Sequence, residues 1–448
     1  MSPDLTLPVT GAAAAPADAR ARRSPMLWVP TLYFAEGLPF YTVMAIAGMM
    51  YKGLGVANDQ IGYWTALLGL AWAFKPLWSP FLEGVPSKRW LVIGLQTVAA
   101  GGMAGVAFAL HLPAWFGVSL ALLALLALNA ATHDIAADGL YIANLSARQQ
   151  AAYAGWQGAF FNAAKAASLG GLLMLVGHFE KSMSPQAAWT LVFAAMGVMM
   201  AAIAAWHVIT LPEPPAASAT GAPRQSLAQI GALLWDVLKD FFTKPGIWFA
   251  VLFIVLFRAG EGQIQTIGPL FLKDARSAGG LGLSTDQIGQ AYGVVGTLAF
   301  LAGSVLGGYF TAWLGLRRAM FVLILAVNLP NLVFWWLGTA LPTDLALISA
   351  ALGVEMFGYG FGFVGVILFI MQVVAKGRYT TAHYALGTGV MQLGFMLFKS
   401  ISGAIQVRIG YQHFFLWVLA CALPVLLLSF FLPKAVDGAA GGDAAEAA

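Results

Sequence analysis

The chain has 448 residues, 60% of them hydrophobic and only 9% charged, with a mean hydropathy of +0.79. A soluble domain carries about 25% charged residues, so the chain is read as an integral membrane protein, and its net charge of +4 by distribution rather than as a nucleic-acid signal. The single cysteine, Cys421, excludes an intramolecular disulfide and a metal–thiolate cluster.

Residues 1–26 are Ala/Pro-rich, contain Arg20, Arg22 and Arg23, and hold no apolar core of the signal-peptide type; a disordered cytoplasmic tail is expected. A spanning helix needs about 20 apolar residues. Such runs fall at 27–51, 60–82, 90–111, 115–141, 150–177, 186–210, 246–272, 287–313, 318–338, 343–372, 381–407 and 411–433, which predicts twelve helices. The expected fold is all-α and polytopic: a six-helix bundle over 27–210, a linker over 211–245, a second bundle over 246–433 and a disordered cytoplasmic tail over 434–448. With the N-terminus inside, fourteen Lys and Arg residues from Arg20 to Lys434 fall in cytoplasmic segments, against Lys52, Lys181, Lys273, Arg276 and Arg408 outside. That bias puts both termini in the cytoplasm.

The linker opens Leu211-Pro212-Glu213-Pro214-Pro215. From Ser226 on, Leu227, Ile230, Leu234, Val237, Leu238 and Phe241 recur at helical spacing opposite Asp236, Lys239 and Asp240. This predicts an amphipathic helix on the inner membrane surface, tethering the halves.

The halves repeat. Gly53-Leu54-Gly55-Val56-Ala57-Asn58-Asp59-Gln60-Ile61-Gly62 matches Gly280-Leu281-Gly282-Leu283-Ser284-Thr285-Asp286-Gln287-Ile288-Gly289, with Asn58/Asp59 and Ser284/Thr285 as expected helix caps. Lys88-Arg89 after helix 2 is echoed by Arg317-Arg318 after helix 8. Two parallel six-helix repeats resemble the layout of the major facilitator superfamily, with a substrate site between the halves near the midplane.

Ionisable groups at membrane depth are expensive and face a protein interior or a water-filled cavity. Five acids are embedded, Glu36, Asp134, Asp138, Glu261 and Glu355, and four bases, Lys75, Lys165, Arg258 and Lys399. Helices 3, 6, 9 and 12 carry none in their interiors, and in the superfamily those are the helices remote from the cavity. Asp134 and Asp138 share one helix face and either latch to Lys88 or Arg89 together with Glu83, as a gate, or carry protons. Glu36 stands beside the break Gly37-Leu38-Pro39, which suits a proton carrier. Arg258 and Glu261, three apart, either neutralise one another or act on substrate or gate. Lys75 either snorkels or contacts ligand. Lys165 and Lys399 are expected as anion sites. His133, turned about 100° from Asp134, is either a hydrogen-bonded packing residue or a coupling or substrate group. Trp156 and Tyr359 sit on cavity-type helices, where they either pack or stack on a sugar.

Several segments carry a family likeness. Leu32-Tyr33-Phe34-Ala35-Glu36-Gly37-Leu38-Pro39, Phe74-Lys75-Pro76-Leu77-Trp78-Ser79-Pro80, Thr132 to Asp138, Arg258-Ala259-Gly260-Glu261, Glu355 and Thr380 to Leu386 resemble motifs of the AmpG-like permeases, with a more distant likeness to acetyl-CoA transporters. The resemblance implies proton-driven import of an amino-sugar anhydromuropeptide across a bacterial inner membrane. Glu36, where the family tends to have a small or neutral residue, and His133 in place of a Gln are departures that bear on coupling and substrate. A carrier for another organic anion, such as an acyl-CoA-like compound or a siderophore, is the alternative. A membrane acyltransferase using His133 would be the enzymatic one, but no metal cluster or nucleophile elbow accompanies it. The expected partners are a small solute, protons and lipid, with no cofactor, metal or nucleic acid, and the expected state is a monomer.

Overall fold

The computed structural model describes residues 24–83, 85, 87–145, 147–212 and 227–432. The expected tails and residues 213–226 of the linker lie outside the described residues. Among the described residues the chain is helical throughout, without a strand. Among the described residues ten helical stretches are long and apolar enough to cross a membrane; dividing the last at Gly410 and adding the paired segments Asn58–Leu68 and Leu70–Glu83 gives twelve helices. The first half holds α1 (Pro25–Gly53), α2 (Asn58–Leu68 and Leu70–Glu83), α3 (Lys88–Ala109), α4 (Trp115–Asn144), α5 (Ala147–Lys165, Ala166–Leu172 and Leu173–Phe179) and α6 (Pro185–Thr210). The second holds α7 (Ile247–Phe257 and Ala259–Lys273), α8 (Thr285–Leu314), α9 (Leu316–Ala340), α10 (Leu345–Val374), α11 (380–409) and α12 (411–429). Gly410, at φ 73°, breaks what would otherwise be one helix between α11 and α12. A left-handed backbone there suits glycine.

Local chemistry sets the ends and bends. Pro30 and Pro185 stand in first helical turns, where a missing N–H costs nothing. Ser184 caps α6 by accepting from the Ala187 N–H, and Asp344 caps α10 by accepting from the Ala346 N–H at 2.7 Å. Pro39 removes a donor inside α1, and the helix relaxes into a π turn over Thr42–Ile46. Further π turns occupy Ala166–Leu172 in α5, Gly289–Val295 in α8 and Ile370–Val374 in α10.

One of the two expected caps holds. Ser284 and Gln287 form a capping box at the start of α8. At α2 the N-cap is Ala57, and Asn58 turns its side chain across to the other half, donating to Gln406 and to Tyr411 at 2.9 Å each.

The linker helix, Leu227–Thr243, does lie against the second half. Val237 and Phe241 are buried, Trp235 is exposed, and Asp240 lies 3.5 Å from the buried His383 at the start of α11. Lys244, just beyond it, donates to the carbonyls of Val374 and Lys376, and its burial pulls the ammonium below the usual lysine range, partly offset by Asp240.

The cores reveal how the halves meet. On the side away from the termini a single apolar cluster draws on both halves, with Met49, Ile61 and Leu173 beside Ile267, Leu270 and Tyr292. On the terminus side each half has its own: Trp28, Tyr33, Ile93 and Tyr141 in the first, Phe253, Phe257, Phe369 and Ile370 in the second. Polar pairs join the closed side. Lys52 meets Asp274 at 2.5 Å, Lys273 meets Glu180 at 3.3 Å, Thr285 donates to Glu180, and Lys181 meets Asp286 at 2.9 Å. Asn58, Thr285 and Asp286 all come from the repeated ten-residue segment, so the duplication supplies both flanks of this closure.

Glycines permit the close crossings. Gly293 of α8 abuts the Leu169 carbonyl of α5 across the halves, and Gly62 of α2 abuts the Lys399 carbonyl of α11. Within the second half, Gly303 and Gly307 of α8 rest on the carbonyls of Phe357 and Phe361 of α10, and Gly360 returns the contact onto Phe300. A methyl group at Gly307 would meet the Phe361 backbone, whereas one at Gly308 meets nothing within 4 Å. Gly307→Ala is therefore expected to destabilise the purified protein by about 1–3 kcal/mol, read as a lower midpoint of thermal unfolding in detergent, while Gly308→Ala leaves that midpoint unchanged.

Candidate functional site

The embedded charges gather into two groups flanking the interface between the halves. In the first, the carboxylates of Glu36, Asp134 and Asp138 each place an oxygen within 4.8 Å of the others. Lys75 reaches in from α2 and bonds Asp134 at 2.5 Å, 59 residues away in sequence. Asp138 accepts from the Tyr33 hydroxyl at 2.9 Å, and Gln157 of α5 donates to that same hydroxyl. Glu36 keeps one buried carboxylate oxygen without a hydrogen-bond partner. Asp138 is exposed on the terminus side, as is Trp156 of α5.

Three carboxylates thus surround one ammonium. They have the donor chemistry to bracket a cation, and the Lys75 ammonium supplies one from within the chain. With all three ionised, two charges would remain uncompensated. At 4.8 Å two like charges repel by about 3 kcal/mol at an effective dielectric constant of about 20.

The second group lies in the other half. Arg258 bonds Glu261 at 2.5 Å, both buried, and its guanidinium lies over the rings of Phe363 and Phe395 at 5.1 and 4.7 Å. The pairing occurs where α7 breaks, with Arg258 itself at φ −86° and ψ −2° between the two helical segments. Tyr359 interacts with both members of the pair and packs on Phe300. Glu355 has a buried carboxylate oxygen without a partner.

Each half contributes an acid on its first helix, an acid on its fourth and a lysine on its fifth: Glu36, Asp134 and Lys165, then Glu261, Glu355 and Lys399. Both lysines are buried and both reach across the interface. Lys165 places its ammonium 4.0 Å from the Phe300 ring and faces Glu355 and Glu261. Lys399 donates to the Met44 carbonyl in the π turn of α1 at 3.3 Å.

Of the remaining sequence candidates, His133 lines a small pocket together with Glu36. His133 is buried and bonds Gln96 at 3.0 Å; Gln96 bonds His207, which bonds Thr31. That chain ties α4, α3, α6 and α1 together. Lys88 lies against α4 at Gly139, and Arg89 donates to the Val208 carbonyl at 2.6 Å. The Glu83 side chain lies outside the described residues. Asp134 is partnered by Lys75 and Asp138 by Tyr33. Tyr33 and Gln157 were missed because a neutral side chain in an apolar run carries no sign of what it will face.

Removing one partner of a fully buried ion pair costs about 3–5 kcal/mol. Lys75 and Asp134 keep 29% and 16% of their side-chain surface exposed, so Lys75→Met is expected to cost less, about 2 kcal/mol. Adding Asp134→Asn to Lys75→Met should restore most of the thermal stability in detergent, because the stranded carboxylate is then gone.

The model of the Major Facilitator Superfamily matches residues 31–398. The chain is similar to the anhydromuropeptide permease of Escherichia coli (strain K12), 25% identical over 412 residues that cover 89% of this chain and 77% of that one. It is similar also to the putative transporter AmpG 4 of Rickettsia conorii, 22% identical, covering 91% and 96% respectively. Among solved structures, the D-xylose-proton symporter aligns with a TM-score of 0.69 at 13% identity, over 92% of this chain and 98% of that one. The nucleoside transporter NupG aligns at 0.65 and 17% identity, over 91% and 98%. At such identities the structures share the fold.

Proposed function

The chain belongs to the Major Facilitator Superfamily, and from that premise we propose that it is a proton-coupled importer of an amino-sugar, anhydromuropeptide-like solute. It is a multi-pass membrane protein and a secondary transporter. The finer reading places it in a bacterial inner membrane with both termini cytoplasmic, in keeping with the basic residues on the terminus side. The observation that carries the reading is the group Glu36, Asp134 and Asp138 around Lys75, which opens through Asp138 to the side where the halves are apart.

In this mechanism the acid group holds a proton when the solute is bound and yields it toward the terminus side. The charge count supports that role: one ammonium neutralises one of three carboxylates, and a proton removes a repulsion of about 3 kcal/mol. Lys165, with an aromatic ring as its neighbour and, among the described residues, no ion-paired carboxylate, receives an anionic group of the solute. Arg258 and Glu261 neutralise one another and hold Tyr359 at the cavity. Trp156, at the open mouth, offers a face for a sugar ring. Closure of the terminus side and opening of the far side, where Lys52–Asp274 and Lys273–Glu180 join the halves, then exchange access.

Uptake of labelled N-acetylglucosaminyl-anhydromuramyl compounds into proteoliposomes tests this. An inward proton gradient is expected to drive accumulation that an uncoupler abolishes. Glu36→Gln is expected to keep solute binding while accumulation falls to the level of protein-free vesicles. Unchanged proton-driven uptake by that variant would remove Glu36 from the mechanism. Uptake of acyl-CoA-like anions in place of the muramyl compounds would replace the solute.

A further inference from the structure

A cavity of about 50 Å³ lies between the halves on the closed side, lined among others by Met44 (α1), Thr65 (α2), Leu169 (α5), Gln265 (α7), Tyr292 (α8) and Lys399 (α11). Six helices from both halves thus converge on it. Three of the four π turns contribute to its wall, through Met44, Leu169 and Tyr292. Such turns recur at functional sites, because they give up a regular helical hydrogen bond locally.

Its chemistry is one-sided. Lys399 is only 4% exposed, and an ammonium has three protons to donate. Its hydrogen bond to the Met44 carbonyl, at 3.3 Å, is longer than the usual range. Gln265 accepts from the Tyr292 hydroxyl at 2.9 Å through its oxygen, which leaves its buried amide nitrogen without a partner. Thr65 and Thr266 donate to carbonyls of their own helices, at Ile61 and Gly262. No Asp or Glu lines the cavity. Unused donors therefore face a space that, among the described residues, holds no anionic acceptor of the chain's own, and a buried ammonium left so is destabilised.

We propose that this cavity is a carboxylate subsite, in which Lys399 and Gln265 receive a carboxylate of the carried solute while the far side is closed. The proposal rests on the transporter reading above only in assigning that carboxylate to a solute. Size admits such a group: about 10–15 Å³ of this kind of space holds one water, so about 50 Å³ leaves room for a carboxylate. Position fits as well. Met44 lies eight residues beyond Glu36 on α1, about 12 Å toward the closed side at 1.5 Å per residue. A solute anchored here extends back past Lys165 toward the acid group. The ion pair so formed would sit on α11 and α7 of the second half, where Lys399 also meets the π turn of α1.

The test needs no transport. In a Cys421→Ala background, which removes the single native cysteine, Thr266→Cys places a thiol on the cavity wall. Taken relative to their rates with a free thiol in solution, the anionic reagent methanethiosulfonate ethylsulfonate is expected to label it about tenfold faster than its cationic trimethylammonium counterpart, the lower end of electrostatic focusing in a cleft. Adding Lys399→Gln should bring that ratio to one, Lys399→Arg should retain it, and Gln265→Ala should weaken protection alone. Propionate is expected to slow labelling and propionamide to leave it unchanged. Equal relative rates for the two reagents, or equal protection by acid and amide, would overturn the subsite. Failure of muramyl uptake with these ratios intact would overturn only the choice of solute.

Discussion

Every embedded charge in this protein must escape contact with lipid, and that requirement organises the helices. A charged side chain at the bilayer centre has no water to solvate it, so it turns to the interior or to a partner. Here the interface between two six-helix bundles receives them. Lys75 finds Asp134, Arg258 finds Glu261, and Lys165 and Lys399 each cross to the opposite half. Of the five helices that carry no embedded charge, α8 packs across the interface, and α3, α6, α9 and α12 are left to support the others. A duplicated chain gives the same answer twice: acid, acid and lysine on first, fourth and fifth helices.

The two faces of the molecule differ in what joins the halves. One shared apolar core and a set of polar pairs close the far side, whereas the terminus side has two cores that do not merge. The closing pairs are partly water-exposed, with Lys181 63% accessible, and exposed pairs contribute little each. Their value lies in geometry. Asn58 and Asp274 on one flank, and Glu180, Thr285 and Asp286 on the other, hold equivalent segments of the repeat in register. Such a closure is weak enough to open and specific enough to re-form in one arrangement.

Much of this was legible in the sequence. Apolar runs gave the number of helices and their ends to within a few residues, because bilayer thickness imposes a length that composition reveals. The repeat at Gly53–Gly62 and Gly280–Gly289 revealed the duplication, and each segment proved to bond the opposite half on the closed side. The nine embedded charges were found by inspection, since each interrupts an otherwise apolar stretch. What was not legible was pairing. Lys75 and Asp134 meet only because α2 and α4 are rotated to bring them together, and rotation depends on the packing of every neighbour. Asn58 reads as a cap by residue type, yet its amide is drawn to Gln406 and Tyr411. The π turns were invisible for a related reason: each absorbs one extra residue in a helix whose composition is unchanged.

The glycine contacts between α8 and α10 have a consequence for the surrounding lipid. Gly303, Gly307 and Gly360 bring the two backbones so close that the pair cannot slide or splay without opening a void. A loosely packed bundle meets a thicker or thinner bilayer by tilting its helices one at a time. This pair must tilt as one plate, carrying its outward aromatic residues Tyr309 and Trp313 with it. Membrane thickness therefore acts on α8 and α10 together rather than on each helix alone.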